Sequence, residues 1–145
     1  MRVLIDTNVV LDFILKRPAF FAEADELFVR LQNLDFDGYV SSITPENVFY
    51  TTKKEADRTA AFASVEQLLS LAEVCRADKN VMRTALSLNF ADYEDAFQCA
   101  SAMAEGLDAI VTRNAKDFRN SPIRVFSPSE LLNILGDSIT EGDER

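Results

Sequence analysis

Short apolar segments alternate with longer amphipathic ones along this chain. The first, Arg2 to Ile5, is apolar and β-branched, which is typical of a strand buried on both faces. By contrast, the apolar residues between Phe20 and Leu34 recur at three- and four-residue steps, which predicts an amphipathic helix. The same patterns predict strands at Tyr39–Ser41, Val74–Cys75, Asp108–Thr112 and Arg124–Phe126, and helices at Val9–Leu15, Thr44–Glu55, Arg58–Glu73, Asn80–Leu88, Asp92–Glu105 and from Ser127 to Leu135.

Strands that alternate with helices pair in parallel through right-handed crossovers, which place helices on both faces of one sheet. We therefore predict an α/β protein, a three-layer α/β/α sandwich with a central parallel sheet of about five strands. The 145 residues suit a single domain, which we place at residues 1–135. Residues 136–145 are polar and acidic, and we expect them to form a disordered tail.

Two of the predicted helices begin with capping signals. Thr44 precedes Pro45, so Thr44 is predicted to cap a helix whose first position is proline. Asp92 precedes Asp95 by three residues, a spacing that favours an N-cap at Asp92. Gly106 is predicted to close that second helix.

Composition and charge narrow the possible function classes. A net charge of −9 opposes passive binding to nucleic acid, yet basic residues cluster at Lys16-Arg17 and at Arg113 and Lys116. An acidic average therefore leaves room for a basic rim around a metal site. Two cysteines are too few for a disulfide framework, and we find neither a signal segment nor the ~18 apolar residues of a membrane span. We expect a soluble, cytoplasmic protein.

Acidic and amide side chains follow three of the predicted strands. Asp6, Thr7 and Asn8 come directly after the first strand, and Asp92 and Asp95 open a helix. Ligands of an open α/β sheet bind outside the carboxyl ends of its strands, so side chains far apart in sequence can meet there. In a chain without histidine, Mg²⁺ or Mn²⁺ is the simplest partner for such a carboxylate cluster. Further candidates are Glu46 and Asn47 after the second strand, and Thr112, Arg113, Asn114, Lys116 and Asp117 after the fourth.

Each of these segments also has a purely structural explanation. Thr7 or Asn8 could cap the helix that follows, with Asp6 favouring its positive end. A carboxylate that abuts a buried strand is nevertheless costly unless it is paired or metal-bound, so capping explains Asn8 better than Asp6. Asp92 could serve only as a cap, Glu46 is of a type commonplace in a first helical turn, and the loop after the fourth strand could be merely polar.

Three segments carry more specific patterns, in a fixed order along the chain. They read VLIDTN over residues 3–8, DYEDAFQ over residues 92–98, and IVTRNAKDF over residues 110–118. In this order they resemble the motifs hDTN, DxEDAhQ and hhTRNxxDF of the PIN-domain family of metal-dependent ribonucleases, in its VapC-like toxin branch. The resemblance covers nearly the whole chain. It implies a PIN-like fold whose acidic pocket binds one or two Mg²⁺ or Mn²⁺ ions and cleaves RNA phosphodiester bonds.

The resemblance also implies roles for individual residues. Asp6 would be the central metal ligand, with Asp92 and Asp95 as further ligands and Asp117 or Asn114 completing the far side. A water would then be activated by the metal or by a carboxylate such as Asp95. Residues expected to orient these groups or the substrate are Thr7, Asn8, Asn47, Thr112 and Asn114, and those expected to hold flanking phosphates are Lys16, Arg17, Arg113 and Lys116.

Two positions depart from the family pattern. The family commonly carries glutamate three residues after the threonine aligned with Thr44, where this chain has Asn47, with Glu46 one place earlier as an alternative metal ligand. Many members carry aspartate where this chain has Asn114. Both amides lower the charge of the site, and they favour the alternative of a degenerate, non-catalytic PIN-like module that binds RNA or a protein.

The resemblance further implies partners. Proteins of this type are often the toxin of a toxin-antitoxin pair, usually homodimeric and neutralised by an antitoxin protein. A more distant alternative is a phosphatase of the haloacid-dehalogenase type, in which an aspartate after the first strand attacks phosphate. That chemistry requires a second aspartate two residues on, where this chain has Asn8.

Overall fold

The structure, a computed structural model, describes the backbone of residues 1–143 and the side chains of residues 1–136. Its strands are β1 (Arg2–Ile5), β2 (Asp37–Val40), β3 (Glu73–Val74), β4 (Ala109–Val111) and β5 (Arg124–Phe126). Its helices are α1 (Thr7–Ile14), α2 (Phe21–Gln32), α3 (Thr44–Glu55), α4 (Arg58–Leu71), α5 (Lys79–Ser87), α6 (Tyr93–Glu105) and α7 (Pro128–Asp143), with a 3₁₀ helix at Ala115–Phe118. The predicted tail, residues 136–145, falls almost wholly outside the described side chains and stays a prediction.

The five strands form one parallel sheet in the order β3-β2-β1-β4-β5. β1 is central, with Leu4 opposite Tyr39 of β2 and Ile110 of β4. The chain builds the sheet from β1 towards β3, then crosses back to add β4 and β5. The strand order therefore reverses between β1 and β4, the position at which open α/β sheets bind ligands. The predicted α/β/α sandwich with five parallel strands is confirmed.

The hydrophobic core lies on both faces of this sheet because the side chains of a strand alternate in direction. Val3 and Ile5 pack with residues of α1, α2 and α7 on one face. Leu4 packs on the other face with Cys99 of α6 and with Ile110. The side chains of Val3, Leu4 and Ile5 are all buried, which is why this part of β1 is a continuous apolar run in the sequence.

Most elements differ from their predicted bounds by one or two residues at an end, and two differences concern individual residues. α2 ends at Gln32, and Leu34, predicted to lie at its end, has a φ of 63° and is 83% exposed. The predicted capping role of Thr44 is wrong: the N-cap of α3 is Ile43, and Thr44 is the first helical residue. Its hydroxyl points towards α1 instead, as described below.

The predicted ends of α6 are confirmed. Asp92 is the N-cap, and its Oδ2 accepts the backbone N–H of Asp95 at 3.0 Å. Gly106 closes the helix with a φ of 70°, in the left-handed region that glycine adopts readily. Within the described residues, no helix combines the length and apolar character needed to cross a membrane.

Candidate active site

Asp6 lies at the carboxyl end of the central strand, directly before α1. Its side chain is 3% exposed, and both carboxylate oxygens accept hydrogen bonds from neutral side chains. Nε2 of Gln98 on α6 donates to Oδ1 at 2.9 Å, and Oγ1 of Thr112 after β4 donates to Oδ2 at 2.8 Å. Asp6 is therefore held from two sides by elements adjacent to β1.

A second set of hydrogen bonds fixes the residues around Asp6. Oε1 of Gln98 accepts the backbone N–H of Thr7 at 3.1 Å, so the two ends of the Gln98 amide engage two consecutive residues. The Thr7 hydroxyl lies 2.9 Å from the hydroxyl of Thr44, which in turn lies 3.4 Å from that of Ser41. This network joins α1, α3 and α6, and it engages the hydroxyl of Thr44, the first residue of α3.

Asp6 forms the base of a pocket of about 340 Å³ at the switch point of the sheet. Residues from the first turns of α1, α3 and α6 line the pocket. Its lining is mainly acidic and polar: Asp6, Thr7, Asn8, Leu11, Asn47, Thr51, Asp92, Glu94, Asp95 and Gln98.

Burial raises the pKa values of three carboxylates of this pocket, and neighbouring charges add to the effect at two of them. Burial raises the pKa of Asp6, although hydrogen bonds from Gln98, Thr112 and the backbone oppose that effect. Partial burial and repulsion, first from Asp6 and then from Asp92, Asp117 and Glu94, raise the pKa of Asp95 to about 7. The pocket therefore resists full ionisation at neutral pH.

Glu94 and Asn47 connect the two sides of the pocket. Nδ2 of Asn47 on α3 donates to Oε1 of Glu94 on α6 at 2.8 Å. Burial, together with the charges of Asp92 and Asp6, raises the pKa of Glu94, while the bond from Asn47 lowers it. Where the family commonly has a glutamate, this chain thus has an amide bonded to a neighbouring glutamate.

The structure brings six of the predicted site residues together in the pocket lining: Asp6, Thr7, Asn8, Asn47, Asp92 and Asp95. Thr112 lies beneath it, bonded to Asp6, and its hydroxyl accepts the backbone N–H of Asn114 at 3.1 Å. Asp117 lies on the 3₁₀ helix beside a neighbouring cavity of about 150 Å³ that Lys116 also lines. Asp117 is nevertheless near enough to raise the pKa of Asp95.

Other predicted residues lie away from the pocket lining. Glu46 and Lys16 are exposed. The guanidinium groups of Arg113 and Arg17 both pair with Asp12, a buried residue of α1.

Four residues that the sequence analysis did not select contribute to the site or its surroundings: Thr44, Glu94, Gln98 and Asp12. Gln98 is 1% exposed within the buried and mainly apolar segment from Ala96 to Ala102. A lone amide in such a segment requires a buried hydrogen-bond partner, and this requirement is the signal that could have identified it.

The donor chemistry of the pocket fits Mg²⁺ or Mn²⁺. Its polar side chains present carboxylate, amide and hydroxyl oxygens, which these hard cations prefer. Within the described residues, no three acidic side chains are grouped closely enough to enclose an ion. Mg²⁺ keeps several waters and commonly binds through one or two carboxylates, so Asp6 with Asp95 or Asp92 would suffice.

The fold and the pocket together define the class of this protein: it is an α/β protein with an open parallel sheet and an acidic crevice at the switch point of that sheet. The model of the PIN domain matches residues 2–116 of this chain. Since that match covers most of the chain, the protein belongs to the PIN-domain family, and the resemblance of its sequence motifs is confirmed.

Solved structures share this fold. A chain of the DNA-bound VapBC complex from Salmonella typhimurium is 23% identical, with a TM-score of 0.69 over 88% of this chain and 98% of that one. A chain of a toxin-antitoxin complex from Klebsiella pneumoniae is 25% identical, with a TM-score of 0.67 over 87% and 97%. A VapC toxin from Mycobacterium tuberculosis that cleaves the sarcin-ricin loop is 14% identical, with a TM-score of 0.62 over 74% and 86%. No curated protein matches the sequence significantly.

Proposed function

We propose that this protein is a metal-dependent endoribonuclease that hydrolyses RNA phosphodiester bonds with Mg²⁺ or Mn²⁺. The observation that carries the proposal is the environment of Asp6. Among the described residues its carboxylate has no basic partner, and it lies buried between two neutral donors beneath further carboxylates. A buried carboxylate is costly to keep ionised without a cation, so this arrangement favours a site that a divalent ion completes.

The residues of the chain would orient the ion and the water and transfer a proton. An ionised carboxylate has about four acceptor sites, and the side chains of Gln98 and Thr112 use two of those on Asp6. In the metal-free protein Asp95 has a pKa of about 7 and is divided between its two protonation states at neutral pH, so it is suited to accept a proton from water. When bound, a divalent ion lowers the pKa of water and stabilises charge on the scissile phosphate.

Substrate contacts are proposed for two exposed lysines. Lys16 is exposed, and exposed Lys116 lines the cavity beside Asp117. Because Arg17 and Arg113 are already paired with Asp12, the two lysines are the better candidates for contacts with RNA phosphates flanking the cut.

We also propose that the protein is the cytoplasmic toxin of a toxin-antitoxin pair and acts as a homodimer. The support is the shared fold and the 25% identity with a chain of the Klebsiella pneumoniae toxin-antitoxin complex. An antitoxin that inserts arginine or lysine would complement the acidic pocket. Co-expression with the product of the adjacent gene, followed by co-purification and inhibition of cleavage, tests this part of the proposal.

The experiment that tests the nuclease is cleavage of pooled tRNA and ribosomal RNA by the purified protein with Mn²⁺, with EDTA, and with the Asp6→Asn variant. We expect cut products with Mn²⁺ alone, because the variant removes the central charge while retaining a side chain of the same size. Cleavage by a well-folded Asp6→Asn variant equal to that of the wild type would reject the assignment of Asp6.

The alternative is a degenerate PIN-like module that binds RNA or a protein without cutting. Its specific support is Asn47, which engages Glu94, and the absence of a closely grouped acidic triad among the described residues. Such a module would neither cut RNA nor gain thermal stability from Mn²⁺, whereas the nuclease would do both.

A further inference from the structure

Asp12 is a second buried carboxylate of α1, and it lies outside the acidic pocket. Its side chain is 1% exposed. Oδ2 accepts Nε of Arg113 at 2.8 Å, and Oδ1 lies 3.5 Å from Nη2 of the same guanidinium and 3.4 Å from Nη1 of Arg17. Asp12 is thus paired with two arginines, of which Arg113 is the closer.

Arg113 is held on a second side by an aromatic ring. Its Cζ atom lies 4.0 Å from the centre of the Phe20 ring, a close cation–π contact. Ionic pairing through Nε together with ring stacking fixes a planar guanidinium in position and in orientation.

This anchored arginine directly follows Thr112, the residue that donates to Asp6. The Thr112 backbone N–H donates to the carbonyl of Phe126 at 2.9 Å, and the Thr112 hydroxyl donates to Asp6. The strand β4 ends at Val111, so the chain beyond Thr112 depends on other contacts for its path. Arg113 provides such a contact one residue further on.

Both ends of this connection belong to the same helix. Asp6 is the N-cap of α1, and Asp12 lies within α1. The pair Asp12–Arg113 therefore ties the loop that carries Thr112 to the helix that begins at Asp6.

We propose that Asp12 is a positioning residue that, through Arg113, holds Thr112 in hydrogen-bonding contact with Asp6. The consequence for metal binding and cleavage rests on the proposed function. The consequence for the Thr112 loop does not, because that loop's geometry can be measured in the metal-free protein.

A purely structural role is the competing explanation, and a double substitution separates the two. A buried ion pair can often be replaced by apolar side chains of similar volume without loss of stability. The variant Asp12→Leu/Arg113→Met removes both charges of the closer pair and leaves the partly exposed Arg17 in contact with water. If the pair only stabilises the fold, this variant behaves as the wild type in every assay.

The chain also offers a matched control. Arg30 and Asp35 form another largely buried ion pair, with 2.6 Å between Nε and Oδ2, at the end of α2 and away from the acidic pocket. The control variant Arg30→Met/Asp35→Leu makes the same chemical change without touching the Thr112 loop.

The experiment compares the wild type and both double variants in three measurements: hydrogen exchange at the backbone amide of Asn114, Mn²⁺ affinity, and cleavage kinetics. The Asn114 amide donates to the Thr112 hydroxyl and so reports the loop directly. We expect the Asp12→Leu/Arg113→Met variant to exchange faster at Asn114 and to lose roughly 10- to 100-fold in Mn²⁺ affinity or kcat, with KM for RNA unchanged. The control variant should retain wild-type values.

Wild-type exchange at Asn114 in a folded Asp12→Leu/Arg113→Met variant would overturn the proposal. If the wild type neither binds Mn²⁺ nor cuts RNA, the nuclease proposal fails, while the exchange measurement still decides the role of Asp12. Should the double variant fold poorly, Arg113→Lys serves instead: it keeps the charge but loses the planar, two-atom contact, and faster exchange at Asn114 is again expected.

Discussion

Two buried carboxylates of the same helix have opposite surroundings. Asp12 accepts from two guanidinium groups, whereas Asp6 accepts from an amide and a hydroxyl and lies beneath further acids. The charge of Asp12 is compensated by the chain itself. That of Asp6 is compensated by no basic side chain among the described residues, and its pKa is raised by burial. The comparison teaches that burial alone does not distinguish an acid compensated within the chain from one proposed to bind an external cation, and that the nature of the partners does.

The largest effect on stability is expected at Asp12. Asp12→Ala leaves two arginines without their buried partner and should lower the free energy of unfolding by about 3 kcal/mol. This value is at the low end of the range for breaking a buried ion pair, because both guanidinium groups retain contact with water. Urea denaturation of the metal-free protein measures it.

Asp6→Asn provides the contrast in the same assay. Because it removes a buried charge that lacks a cation, we expect the stability of the metal-free protein to change by less than about 1 kcal/mol. Equal losses in the Asp6 and Asp12 variants would break the distinction between the two carboxylates.

Mn²⁺ should stabilise the folded protein through Asp6. At an Mn²⁺ concentration of about 100 times Kd, binding to the folded state alone raises the free energy of unfolding by about 2.7 kcal/mol. We expect this gain in the wild type and in the control variant Arg30→Met/Asp35→Leu, and its loss in Asp6→Asn. Thermal denaturation at increasing Mn²⁺ measures it, with EDTA added to reverse the shift. A gain that survives in Asp6→Asn would place the ion elsewhere.

The sequence was sufficient for the fold because the central strands are buried on both faces. Arg2–Ile5 is predicted with its observed bounds, since a strand buried on both faces is a nearly continuous apolar run. The edge strand Arg124–Phe126 is also predicted with its observed bounds, although its Arg124 is exposed. The same logic fails at Leu34, where an apolar residue continues the helical spacing but the backbone has already turned to a positive φ. Periodicity records which residues are apolar, not where a helix ends.

The acidic residues of the candidate site were predictable in type, and the partners that hold them were not. Asp6, Asp92 and Asp95 follow from strand ends and motif spacing. The bond from Gln98 to Asp6 spans 92 positions, and that from Arg113 to Asp12 spans 101. No local pattern encodes such pairs. They become visible only when the sheet order places α6 and β4 beside β1.

A further small effect sharpens the comparison within the pocket itself. The pKa of Asp95 is raised from 3.8 to about 7, so the folded state binds more protons than the unfolded state between these values. The stability contributed by the protonated form is complete below pH 3.8 and is lost as pH rises through about 7. Asp95→Asn keeps the side chain uncharged at every pH. At pH 8 it should stabilise the metal-free protein by about 1 kcal/mol. This value is well below the free energy that corresponds to the whole pKa shift, because the side chain is partly exposed and solvent screens its charge.

The same substitution should have almost no effect on stability at pH 4, where Asp95 is protonated in the folded wild type. Urea denaturation at the two pH values, without metal, separates this electrostatic effect from any change in packing, which would appear at both. Saturating Mn²⁺ at pH 8 should abolish the advantage of Asp95→Asn, because the ion compensates the charge that the substitution removes. An advantage that persists unchanged in Mn²⁺ would mean that Asp95 does not face the ion, and the metal site would then be confined to Asp6 and Asp92.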